Sequence, residues 1–226
     1  MNDDKTNLDE VPFSNPEPFL THASRVGIQE RHLPHWQLDG AFYFVTSRLV
    51  DSLPADKLQA WRTEKQCFLR EHPRPWDAGT LALYREQFPQ RIERWLDQGR
   101  GACVLRDGHN AREVLTAARR FDGERCDLAS LVVMPNHMHA LFQLRGETDA
   151  DRLVGVWKGV SAREINRRLA RRGNLWQQEN WDRIVRGLPD LVRCFNYIKQ
   201  NPAMAGLSDG EFLYYEAPGF LPEAFI

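Results

Sequence analysis

Apolar residues crowd together in AFYFVTSRLV, which begins at residue 41, and the aromatic and β-branched content predicts a strand there. Residues 52–54 end it. Over residues 56–72 the spacing changes: Leu58, Trp61, Phe68 and Leu69 recur at near-helical intervals. Pro73 and Pro75 break that helix. Residues 81–97 are helical again, divided by Pro89 and stopped by Gly99 and Gly101. Asn110, with Glu113 three residues on, is a capping pattern for a helix striped by Val114, Leu115, Ala118 and Phe121. Two apolar strands, 127–134 and 137–144, flank Pro135-Asn136 as a hairpin. A long helix is expected over 151–172, ending at Gly173, and a short strand over 181–185. The last helix opens at Pro189-Asp190. It is expected to end near Asn201, because a proline disfavours helical geometry in the residue before it. The aromatic tail EFLYYEAPGFLPEAFI is expected to pack back onto the body.

Without its extra helices the order is strand, helix, strand, strand, helix, strand, helix. That is the split β-α-β, ferredoxin-like order of an α+β fold. Residues 31–226 read as one domain with a helical insertion over 56–122. Residues 1–30, polar and proline-bearing without a period, read as a flexible arm.

Composition changes this picture little. A chain of 226 residues supports one sizeable core. No apolar run is long enough to span a bilayer, and MNDDKTNLDE lacks the start of a secretory signal. Cys67, Cys103, Cys126 and Cys194 are scattered without a C-x-x-C pair, as expected of reduced thiols in a cytoplasmic protein. The net charge of −1 argues against a uniformly basic nucleic-acid binder. Its distribution argues for a local one: Arg163, Arg167, Arg168, Arg171 and Arg172 crowd one helix, and Arg183 and Arg186 follow. A solvated helix face is the plainer account of the same arginines.

The chemistry concentrates in two places. In LVVMPNHMHALFQL, His137 and His139 are two apart on a predicted strand, so both imidazoles face one side. That suits two ligands of one divalent metal, with open positions for catalysis. Two hydrogen-bonded histidines without a metal would leave the same pattern. In FNYIKQNPAMAGL, Tyr197 and Asn201 share a helix face at i, i+4. A phenol is a weak nucleophile unless its proton is removed, and an amide oxygen could complete a metal shell. A core tyrosine and a helix terminator are the alternative. Trp176, near the arginines, is a candidate for stacking on nucleic-acid bases, whereas Trp157 reads as core.

Three blocks together resemble a known family: RHLPHWQLDGAFYFVTSRLVDSLP, SLVVMPNHMHALFQL, and the stretch from VWKGVSAREINRRL through LWQQENWDRIV to FNYIKQNPAMAGL. The chain resembles the REP-associated tyrosine transposases, single-tyrosine members of the HUH endonuclease superfamily. That resemblance implies a central antiparallel sheet and a histidine pair, His137 and His139, that binds Mg²⁺ or Mn²⁺. It implies Tyr197 as the nucleophile on a DNA phosphate and Asn201 as a third, polar ligand. The expected activity is nicking and rejoining of single-stranded, hairpin-forming DNA through a 5′-phosphotyrosine link, by a monomer or homodimer. A domesticated hairpin-binding protein without cleavage is the alternative. Compact members of the family lack the helices inserted after the first strand.

Overall fold

The computed structural model describes residues 27–30, 34–37 and 40–222, the first two segments as strand backbone. Most of the predicted arm at 1–30, and the last four residues of the tail, lie outside that range. Strands β1 (Gly27–Glu30) and β2 (Pro34–Gln37) pair as an antiparallel ribbon. The main sheet is built from β3 (Phe42–Arg48), β4 (Cys126–Val133), β5 (His137–Leu144), β6 (Trp181–Ile184) and β7 (Leu213–Glu216). Its order is β6-β3-β5-β4-β7, and each pair of neighbours is antiparallel. The first four strands in chain order therefore lie in the ferredoxin-like arrangement that the element order predicts. The aromatic tail adds β7 at the β4 edge and buries Phe220.

The sheet has two different faces. Tyr43 and Val45 of β3 and Met138, Ala140 and Phe142 of β5 point to one side. There they meet α4 (Gly108–Arg119) and α5 (Ala150–Arg168), with Trp157 edge-on to Phe142 at 5.0 Å between ring centroids. Phe42, Phe44 and Leu141 point to the other side and meet α6 (Leu188–Met204) through Leu191, Cys194, Phe195 and Ile198. This is the period-two alternation of a strand covered on both faces.

Helices α1 (Ala55–Glu71), α2 (Ala78–Gln87) and α3 (Pro89–Asp97) pack around a core of their own: Leu53, Leu58, Trp61, Phe68, Phe88, Ile92 and Leu96. α4 does not belong with them, because Ala111, Val114, Ala117 and Ala118 join the sheet core. The part added to the ferredoxin-like unit thus narrows from the expected 56–122 to α1–α3.

Three helix boundaries depart from expectation. Asp107, not Asn110, caps α4, accepting from the His109 amide at 2.8 Å. Asn110 lies inside the helix and donates to the Val104 carbonyl. α5 stops at Arg168, where Ala170 turns left-handed at φ 50°, and the Asn166 amide draws the Gly173 carbonyl back to 3.0 Å. α6 runs through Pro202 to Met204. A proline so near the C-terminus forfeits a single helical bond. The carbonyls of Asn201 and Pro202 are still met, by the amides of Ala205 and Leu207, before Gly206 ends the helix at φ 68°. No helix among the described residues is long and apolar enough to cross a membrane.

Candidate metal and nucleophile site

His137 and His139 sit on the α6 side of β5, their rings 4.8 Å apart between centroids. Both are fully enclosed. Each Nδ1 has a partner: Asn136 Oδ1 at 2.7 Å for His137, and Thr46 Oγ1 at 2.8 Å for His139. Each Nε2 is buried without a partner.

The Asn136 amide decides the tautomer of His137. Its Nδ2 donates to the carbonyls of Leu96, at 3.2 Å, and Arg100, at 3.0 Å. The opposite end must then be the acceptor Oδ1, so His137 Nδ1 carries the hydrogen and Nε2 carries a lone pair. A neutral imidazole with its outer nitrogen tied to an oxygen is the usual state of a histidine prepared for a metal. Burial enforces the neutral form, holding His137 down to about 3 and His139 well below the usual imidazole value, where His137 also contributes. An orphaned buried nitrogen costs about 1–3 kcal/mol.

The loop that orients Asn136 is tightly built. Gly101 adopts φ 88°, and a Cβ there would lie 2.6 Å from the Asp51 carbonyl oxygen. The adjacent Ala102 amide donates to the Asp51 carboxylate at 2.9 Å. Only glycine allows this approach.

Tyr197 meets the pair from α6. Its ring is edge-on to His139 at 5.1 Å and to Phe44 at 5.8 Å between centroids. Its hydroxyl is buried and lacks a well-aligned hydrogen-bond partner, although Glu93 and Asn201 flank it. Burial first, then the nearby carboxyls of Glu93 and Asp97, push the phenol far above its usual pKa. Asn201, one turn on, is fully buried with neither amide atom paired. Two free imidazole nitrogens side by side, with an unpaired amide one turn from the tyrosine that packs on them, have the chemistry that suits a divalent cation. Among the described residues no group of three or more histidine, cysteine or acidic side chains is placed to hold a metal. The unpaired Asn201 amide is the candidate third ligand.

Glu93 and Asp97 were not foreseen. They stand one turn apart on α3, in a segment whose polar residues look like an ordinary solvated face. Burial raises both carboxyls to about 6. Asp97 also lines a cavity of about 220 Å³ with His137, Arg106 and Ala205.

The candidate DNA-binding residues do not gather in one place. α5 packs on the sheet face opposite the histidines. There Arg163, Arg171 and Arg172 make no ion pair among the described residues, while Arg167 pairs with Glu164 at 3.0 Å and Arg168 with Asp107 at 2.9 Å. Trp176 is only 5% exposed, and its indole donates to Ser161 Oγ at 3.1 Å. It is a core residue, so the stacking role expected of it is withdrawn. The mixed sequence around Trp176 does not show that its ring fills the gap beside α5. Arg183, cross-strand from Phe44 and over its ring at 5.4 Å, is on the histidine side and pairs with Asp190. Arg186 is exposed.

Residues 105–186 match the family model described as Transposase IS200 like. The match runs from just before α4 to just after β6, so it includes the histidine pair and excludes Tyr197. A Haemophilus influenzae protein, named as a candidate REP-associated tyrosine transposase, is 26% identical over 90 residues. The alignment covers 35% of this chain and 51% of that protein, about half its length. A solved structure described as a REP-associated tyrosine transposase bound to a REP hairpin matches 80% of this chain and 75% of that one. Its sequence identity is 17% and its TM-score 0.39, too loose for residues to be transferred. The chain is similar to the REP-associated tyrosine transposases.

Proposed function

We propose that this chain is a metal-dependent endonuclease and strand transferase acting on single-stranded, hairpin-forming DNA. The observation that carries the proposal is the pair of enclosed, unpartnered Nε2 atoms with the Tyr197 ring packed against one of them. His137 and His139 would hold Mg²⁺ or Mn²⁺, with Asn201 as the third protein ligand. Bound there, the cation would withdraw charge from the scissile phosphate. Tyr197 is the nucleophile. Its oxygen joins the phosphorus as the bond to the 3′-oxygen breaks, leaving a 5′-phosphotyrosine and a free 3′-hydroxyl. The link keeps the energy of the phosphodiester, so a 3′-hydroxyl can reverse it. Arg163, Arg167, Arg168, Arg171, Arg172, Arg183 and Arg186 are the candidate contacts to the DNA backbone. We place the catalytic domain at 31–226, with α1–α3 as an added roof, and the working compartment in the cytoplasm.

The test is a denaturing-gel assay for a protein–DNA adduct on hairpin oligonucleotides with Mg²⁺ or Mn²⁺. Wild type is expected to form the adduct. Tyr197→Phe is expected to abolish it while still binding the hairpin. A folded wild-type protein that binds hairpins, but forms no adduct with either metal, would be a binding protein instead.

A further inference from the structure

The proposed tyrosine chemistry leaves one proton without a destination, and the structure holds an acceptor for it. The Tyr197 hydroxyl is buried, so water cannot freely take the phenolic hydrogen as the oxygen attacks. The carboxyl that flanks it is not on the sheet or on α6. It belongs to Glu93, on α3 in the added roof, which flanks the buried phenol without an aligned hydrogen bond to it. α3 is fixed over the site by its own core, through Ile92 and Leu96, and by the bond from Asn136 Nδ2 to the Leu96 carbonyl. The same helix end therefore orients His137 and presents Glu93 to the nucleophile.

We propose that Glu93 is the proton acceptor for Tyr197, a catalytic residue supplied by the added helices rather than by the ferredoxin-like unit. The inference rests on the transposase reading above. As the phenol oxygen bonds to phosphorus, its proton passes to the Glu93 carboxylate. The bond from phosphorus to the 3′-oxygen breaks, and that oxygen takes a proton from solvent. Glu93 then returns its own proton to solvent, so no net proton is gained or lost. In the reverse step Glu93 takes a proton back from solvent and passes it to the phenol oxygen as that oxygen leaves phosphorus.

The charged and titratable neighbours fit this role. Asp97, one turn along α3, is a like charge that favours proton uptake by Glu93, and Arg183 of β6 opposes it. Tyr197 of α6 stabilises the ionised carboxylate. Burial dominates and places Glu93 near 6, so the base is ionised, and still a useful acceptor, at neutral pH.

The test uses full-length protein and two readouts. Single-turnover adduct formation is followed against pH for wild type, Glu93→Gln and Glu93→Asp. Glu93→Gln is expected to slow the adduct by about 10²–10⁴-fold and to erase the fall in rate below about pH 6, with hairpin binding unchanged. Glu93→Asp should recover part of the rate. A Glu93→Gln protein that matches wild type in rate and pH profile overturns the proposal.

The second readout needs no activity. Carbon-13 NMR of labelled glutamate carboxyls should show one group titrating near 6 that disappears in Glu93→Gln and moves upward in Tyr197→Phe. If Tyr197→Phe leaves it unmoved, the two groups do not touch and the proposal fails on its own ground. If the contact is present but wild type forms no adduct, the transposase reading has failed and takes this step with it.

Discussion

The two faces of β5 are equally buried, yet they differ in how many polar groups they leave unpaired. On the α4–α5 side, Met138, Ala140 and Phe142 pack against apolar neighbours. The charge buried there, Lys158, has three acceptors: the carbonyls of Gln177 and Gln178 at 2.8 and 2.7 Å, and Asn180 Oδ1 at 2.9 Å. On the α6 side, His137, His139, Tyr197 and Asn201 all leave buried polar atoms unpaired. Apart from the Trp157 indole nitrogen, which is buried without a partner, the α4–α5 face pairs its polar groups among the described residues, as a face built for stability should. The other leaves a cluster of polar atoms open to the metal proposed above. The largest consequence is for stability. Phe142→Ala should cost about 3–5 kcal/mol in urea unfolding, from lost transfer and a cavity beside Trp157. His139→Leu, measured with chelator present, should change stability by less than about 1 kcal/mol or raise it. Equal losses at the two positions would erase the distinction between the faces.

Supplying the ligand should sharpen the contrast. A metal at about 100 times its dissociation constant stabilises the folded state by about 2.7 kcal/mol. Mn²⁺ should therefore raise the melting temperature of wild type. It should leave His137→Ala and His139→Ala unmoved, and it should still stabilise a variant altered on the far face. A thermal shift that survives loss of both histidines would place the cation elsewhere. Asn136→Ala should have a smaller effect, weakening metal affinity by about 10–100-fold as His137 loses its orienting acceptor. Calorimetric titration with Mn²⁺ reads that change directly.

Much of the sheet was legible because strands carry their own evidence. His137–Leu144 emerges at its observed bounds, since alternation and the Pro135-Asn136 turn set both register and face. The pairing of the histidines with Tyr197 was legible through resemblance, not through periodicity, because nothing local links residues 58 positions apart. The roof was not legible in the same way. α1–α3 could be read as helices, but an amphipathic pattern does not say what a helix covers. Nothing in the sequence therefore marks Glu93 and Asp97 among the other polar residues of α3. Trp176 misled for a related reason: beside arginines, a buried indole and a stacking indole look alike in sequence.

The smallest expected effect concerns how DNA spans the two faces. Arg171 and Arg172 sit just beyond α5, on the side of the sheet away from His137 and Tyr197, and neither has an ion-pair partner among the described residues. If they grip backbone phosphates, they do so away from the scissile bond. Each phosphate contact contributes about 0.7–0.9 to the slope of log affinity against log salt. Arg171→Ala with Arg172→Ala should then flatten that slope by about 1.4–1.8 for a long hairpin. It should leave the single-turnover rate on bound short strands unchanged, because the face that holds the proposed metal and nucleophile is untouched. Arg183→Ala should behave differently. Its guanidinium stands over Phe44 and influences Glu93, so its loss should reach the rate as well as binding. An unchanged salt slope in the double variant would remove the far face from the DNA path. It would leave the α6 side to carry both recognition and cleavage.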